Sequence, residues 1–180
     1  MFNLPNCLTL TRICAAPLMV ILLYYEGPFA CFCAASLFTL ASITDLIDGH
    51  IARRDNLVTS FGKFLDPLAD KVLICSVLIM LTHLNRVPAW ITIFIVCREL
   101  LVTGLRAMAA DEGIVMAADK FGKWKTTLQS VALLPLIIHY PVMGMDVHSL
   151  GEFLLYIALA LTVGSGVNYI YLYYQRTVMR

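Results

Sequence analysis

Charge-poor, apolar runs recur near residues 8–25, 29–47, 64–84, 87–109, 126–145 and 153–175, and polar residues collect in the short stretches between them. Each run is close to the ~20 residues that carry an α-helix across a hydrocarbon core. The pattern predicts an all-α integral membrane protein with six transmembrane helices. Helix 1 is entered through Pro5-Asn6-Cys7, and Asn85-Arg86-Val87-Pro88 joins helices 3 and 4. Six such helices use nearly the whole chain, so residues 1–180 read as a single membrane domain with no repeat, linker or separate soluble unit.

The runs are not evenly apolar. On helices 2 to 5 the polar and charged positions gather in the same third, at one end of the bundle. Lipid-facing surface does not tolerate such residues, so these ends are expected to surround a polar cavity open to one side of the membrane. Basic residues identify the side. Of the 13 Lys and Arg, only Arg86 falls at the opposite end, which by the positive-inside rule makes the cavity cytoplasmic and places both termini inside. Tyr24-Tyr25-Glu26-Gly27 lacks a small-x-small cleavage site, so the first run reads as a retained helix rather than a signal peptide.

Composition agrees with a chain that lives in lipid. It is 60% hydrophobic and 14% charged, with a mean hydropathy of +0.81, where soluble domains carry about 25% charged residues. A net charge of +1 gives no reason to expect a nucleic-acid partner. The six cysteines show no metal-ligand spacing and read as small buried hydrophobes. His50, His83, His139 and His148 are scattered along the chain and read as surface histidines.

Four aspartates change the picture. They run Asp45-x2-Asp48-Gly49-x2-Ala52-Arg53 and then Gly62-x3-Asp66-x3-Asp70. Carboxylates three or four apart on a helix have Cβ atoms roughly 5–6 Å from one another. At about 5 Å and an effective dielectric near 20, each like-charged pair costs on the order of 3 kcal/mol. Two divalent cations of the Mg²⁺ or Mn²⁺ type would neutralise them through hard oxygen ligands and could grip a pyrophosphate. Gly49 and Gly62 keep the helix surfaces open to a nucleotide, and Arg53 can donate to a phosphate in bidentate fashion. The same glycines could serve only close helix packing.

This run of residues resembles the full signature of the CDP-alcohol phosphatidyltransferase family, with every defining position present over Asp45–Asp70. Pro5-Asn6-x-Leu8-Thr9-x-x-Arg12, the stretch from Arg98-Glu99 to Leu105-Arg106, and Gly122-Lys123-x-Lys125-Thr126 are similar to the phosphatidylglycerophosphate-forming bacterial branch of that family. The resemblance implies a bacterial inner-membrane enzyme that moves the phosphatidyl group of CDP-diacylglycerol to an alcohol and releases CMP. It implies Asp45, Asp48, Asp66 and Asp70 as metal ligands, with Asp70 also the general base. Gly49, Gly62 and Arg53 would hold the CDP portion, with Asn6, Thr9 and Thr59 at its periphery. It also implies a homodimer.

The signature does not specify the acceptor. Arg98, Arg106, Lys123 and Lys125 project from the inner helix ends, and so many cations suit a phosphorylated acceptor, here sn-glycerol 3-phosphate, better than a neutral alcohol. A basic membrane-surface rim could account for Lys123 and Lys125, but less well for Arg98 near mid-helix. Glu99 points about 100° away from Arg98 on the helix, which leaves its partner open. Another phosphorylated alcohol or phosphatidylglycerol is the alternative acceptor. A cation transporter is the alternative class, although transporters gather their ionisable groups near the midplane of broken helices.

Overall fold

The computed structural model describes residues 4–25, 27–54, 60–111, 120–142 and 144–178, with side chains at 10–25, 27–44, 68–110, 124–142 and 144–175. Six helices follow one another: α1 (Leu4–Tyr24), α2 (Pro28–Arg54), α3 (Ser60–His83), α4 (Ala89–Asp111), α5 (Lys120–Ile138) and α6 (Val147–Val178). The contacts close a ring in which α1 packs on α2 and α3, α4 on α3 and α6, and α5 on α6 and α2, with α3 also reaching α5 across the middle.

The turns account for the helix ends. Pro28 opens α2, where a missing N–H is no loss, and Cys31 N–H donates to Gly27 O at 2.9 Å. After α3, Asn85 takes a left-handed φ of 56°, Arg86 N–H donates to Leu81 O at 2.8 Å and Asn85 N–H to Thr82 O at 3.0 Å, a Schellman stop. Arg86 is then buried, and its Nη1 donates to Ile137 O at 2.9 Å, satisfying one of the carbonyls that the end of α5 leaves open.

Three boundaries differ from the sequence reading. The apolar run to residue 145 breaks at Ile138, because His139 adopts φ 59° and Pro141 has no N–H to continue the helix. Helix α6 starts at Val147 rather than at residue 153, because Asp146 caps it: Oδ1 accepts from His148 N–H at 3.0 Å and Ser149 N–H at 3.3 Å. The Ser149 hydroxyl also bonds the Asp146 carboxylate and holds its pKa below the usual carboxylate range. At the other end of the chain, α1 already begins at Leu4, so Pro5 and Asn6 lie in its first turn rather than in an entry loop.

The core fills the half of the ring away from the chain's polar ends, with Met19, Phe38, Leu78, Ile95, Leu136 and Leu155 nearly or fully buried on six different helices. Helix α6 approaches α5 at Gly151, where an added Cβ would meet Leu136 Cγ at 2.7 Å and Leu136 N at 3.1 Å. Gly151→Ala should therefore destabilise the fold by about 1–3 kcal/mol through overpacking. Gly164→Ala on the same helix meets nothing within 4 Å and should not destabilise it. Thermal melts of both variants in one detergent check this.

Outward, the bundle is apolar and large: Phe29 is 81% exposed, Phe32 67% and Phe153 63%. Inward, it buries Arg12, Lys125, Gln129, Thr162 and Ser165. Among the described residues one helix, α6 over Val147–Gln175, is long and apolar enough to cross a membrane by length and composition, and shorter apolar helices cover Leu10–Tyr24, Pro28–Thr44 and Trp124–Ile138. The cysteines are less uniformly buried than expected, since Cys31 is buried but Cys14 and Cys97 face outward. Nor are the histidines all scattered: His139 and His148 meet at the α5–α6 turn with Nδ1 atoms 3.2 Å apart.

Candidate active site

The carboxylate pairs fall on unbroken helix. Asp45 and Asp48 lie in the last turns of α2, and Asp66 and Asp70 in the first turns of α3. The side chains of Asp45, Asp48, Gly49, Arg53, Asp66, Asn6, Thr9, Gly62 and Lys123, and the whole of Thr59, lie outside the described residues. Among the described residues no three His, Cys, Asp or Glu side chains converge, three of the four aspartates not being included. Four carboxylates at helical spacing form an all-oxygen donor set of the kind that hard divalent cations take, and in this respect the residues fit such ions.

Among the described residues, four cations from three helices cluster beside Asp70. Lys71 lies within electrostatic reach of Asp70, Arg98 and Arg106, and Lys125 within reach of Arg98, Lys71 and Asp70. Arg98, Arg106 and Lys125, singled out in the sequence, thus share one neighbourhood with Asp70. Arg106 lies over the Tyr169 ring, 5.1 Å from its centre, and its Nε donates to Tyr169 Oη at 3.0 Å.

Glu99 is the counter-charge of this group. Its Oε1 accepts from Arg98 Nη1 at 3.1 Å and also from Lys125 Nζ. Adjacent positions on a helix diverge by about 100°, and the sequence reading left Glu99 without a partner on that ground. The Arg98 side chain is long enough to turn its guanidinium back to its neighbour. Arg98 Nη2 donates to Ser165 Oγ at 2.8 Å, and Ser165 Oγ donates to Thr162 O at 3.1 Å. Gly166 leaves room for that arginine, since an added Cβ would lie 3.1 Å from Arg98 Cγ.

The sequence names Glu99 but leaves its role open, and it does not single out Ser165 or Tyr169. The signal for the last two was the interruption Gly164-Ser165-Gly166-Val167-Asn168-Tyr169 in an otherwise apolar helix.

Two cavities meet at Asp70. One, of about 220 Å³, runs between α2 and α5 and is lined by Phe38, Thr39, Ile43, Ser130, Val131 and Leu134, with Asp70 and Thr126 in its wall. The second is a recess of about 10 Å³ lined by Asp70, Lys71, Ile74, Cys75, Glu99, Thr126 and Gln129. Asp70 therefore stands between a largely apolar groove and a polar recess backed by the cation cluster.

Comparison with known proteins supplies the family. The sequence profile described as CDP-alcohol phosphatidyltransferase matches residues 2–164. A Bacillus subtilis protein named CDP-diacylglycerol–glycerol-3-phosphate 3-phosphatidyltransferase is 42% identical over 94% of this chain and 94% of its own. A Rickettsia bellii protein of the same name is 44% identical over 93% of each chain. A Mycobacterium tuberculosis protein named as a probable phosphatidylglycerophosphate synthase is 40% identical over 93% of this chain and 80% of its own. A profile match over most of the chain and relatives aligned almost end to end leave one assignment: the chain belongs to the CDP-alcohol phosphatidyltransferase family.

Proposed function

We propose that this protein transfers the phosphatidyl group of CDP-diacylglycerol to sn-glycerol 3-phosphate, giving phosphatidylglycerophosphate and CMP. The observation that carries the reading is the position of Asp70, which borders both the apolar groove and the cation-backed recess. One base reaches the two places where a lipid donor and a phosphorylated polar acceptor would come together. The names of the relatives support the same pair of substrates.

In this reading the bundle sits in the inner membrane of a bacterium as six spans, with its large exposed apolar side chains against lipid and both termini in the cytoplasm. The unusual burial supports it: basic and polar groups turned inward and phenylalanines turned outward suit a non-aqueous surrounding. The donor's acyl chains would lie along the α2–α5 groove. Gly49, Gly62 and Arg53 would hold the CDP portion, with Asn6, Thr9 and Thr59 at its edge. Two Mg²⁺ or Mn²⁺ ions held by Asp45, Asp48, Asp66 and Asp70 would neutralise the pyrophosphate and make its phosphorus more electrophilic.

The chain's own residues do the rest. Arg98, Arg106, Lys123 and Lys125 attract the acceptor's phosphate, and Ser165 and Tyr169 keep the two arginines from drifting. Asp70 takes the proton of the acceptor's primary hydroxyl as its oxygen bonds to the lipid phosphorus. The phosphoanhydride bond to CMP breaks, and CMP departs with that electron pair. Packing as a homodimer belongs to the same proposal.

A two-substrate kinetic matrix tests the acceptor. Arg106→Ala and Lys123→Ala should each raise the KM for glycerol 3-phosphate by about 10- to 150-fold, the loss of a charge-assisted bond worth roughly 1.5–3 kcal/mol. Donor KM should hardly move, and Arg98→Ala should do more harm because it also breaks the bonds to Glu99 and Ser165. If wild type turns over unphosphorylated glycerol as well as glycerol 3-phosphate, the cation cluster does not select the acceptor.

A further inference from the structure

Gln129 sits in the middle of α5 and is 1% exposed, yet its Nε2 has no hydrogen-bond partner among the described residues. Leaving an amide donor buried and unsatisfied costs about 1–3 kcal/mol, and an apolar residue of the same volume would avoid that cost. The side chain is not stranded in the core. It lines the recess beneath Asp70, and it stands four residues after Lys125, so the two share a helix face.

The recess states what it would take. At about 10 Å³ it is the size of one water or one hydroxyl, since about 10–15 Å³ holds a water. A phosphate is too large for it and would also face the carboxylates of Asp70 and Glu99, which form part of the wall. Those carboxylates accept hydrogen bonds, and the Gln129 amide donates them. The matching group is small and neutral and does both, which describes a hydroxyl, supplied by a water when the acceptor is absent and by an alcohol when it binds. The attacking hydroxyl must look toward the donor's phosphorus, in the groove, whereas the recess is a separate pocket walled by Lys71, Cys75, Glu99 and Gln129.

We infer that Gln129 recognises the second hydroxyl of the acceptor, the one that is not phosphatidylated. The inference rests on the acceptor being glycerol 3-phosphate. The Gln129 amide donates to that oxygen, and the hydroxyl donates in turn to Glu99. This anchors the middle carbon of the acceptor between its phosphate, on the cations, and its primary hydroxyl, at Asp70. Gln129 thereby selects a diol phosphate over a simple hydroxyalkyl phosphate of equal length.

The test compares glycerol 3-phosphate with 3-hydroxypropyl phosphate, which lacks only the secondary hydroxyl, in wild type and Gln129→Met. CMP release from CDP-diacylglycerol is measured in mixed micelles. Wild type should favour glycerol 3-phosphate in kcat/KM by about tenfold or more, the worth of one buried hydrogen bond. Gln129→Met should lose that preference by falling on glycerol 3-phosphate alone, with 3-hydroxypropyl phosphate and donor KM unchanged. Folding is not at risk, because the substitution removes an unpaired buried amide, and the melting temperature should hold or rise. A wild type that uses glycerol 3-phosphate but keeps the same preference in Gln129→Met overturns the role of Gln129 alone. A wild type with no CMP release from glycerol 3-phosphate overturns the acceptor reading, and this inference with it.

Discussion

Asp70→Asn should lower the maximal rate of CMP release by about 10²–10⁴-fold, the usual worth of a general base, while CDP-diacylglycerol still binds. The amide keeps the shape of the side chain and an oxygen that can face a cation, but it cannot take up a proton. The surroundings predict the sign of a second effect. Asp70 lies within electrostatic reach of Lys71 and Lys125, so removing its charge leaves the cation cluster more positive, and the KM for glycerol 3-phosphate should stay level or fall. Asp45→Asn and Asp48→Asn should behave differently, moving the divalent-ion titration and donor affinity together. A rate for Asp70→Asn that returns to wild type at saturating Mg²⁺ would make Asp70 a ligand only and remove it as the base.

What was legible in the sequence was whatever depends on local spacing. Six charge-poor runs became six helices, and the aspartate pairs fell on continuous helix, because both patterns are written within one turn or one element. The end of α5 was misread because Tyr140, Pro141 and Val142 look apolar, whereas the backbone at His139 had already turned left-handed. Tertiary partners were the least legible. Arg98 and Ser165 are 67 residues apart and meet only because α4 packs on α6. Lys125 finds Glu99 across 26 residues. Gln129 could not have been singled out at all, since a glutamine in an apolar helix declares itself only once its amide is seen without a partner. The nucleotide side of the site, from Asp45 to Asp66, rests on spacing and family membership.

Glu99 carries the other large effect. Its carboxylate faces both the Arg98 guanidinium and the Lys125 ammonium, and Lys125 is only 2% exposed. Glu99→Ala would leave two cations close together inside the bundle, with Asp70 within electrostatic reach of Lys125. Breaking a buried ion pair from one side costs about 3–5 kcal/mol, enough to remove much of the stability of an ordinary domain. The variant should express poorly and melt well below wild type. Removing the lysine as well relieves the stranded charge, so Glu99→Ala with Lys125→Met should regain most of the lost stability, a coupling that a double-mutant cycle reads directly. The same double variant should remain poor in KM for glycerol 3-phosphate, since it has lost a cation for the phosphate and the acceptor of the second hydroxyl. Stability and acceptor affinity should thus separate. If Glu99→Ala melts like wild type, Glu99 does not hold the cluster together; if the double variant recovers acceptor KM along with its stability, Lys125 and Glu99 are packing residues and the acceptor is held by Arg98 and Arg106 without them.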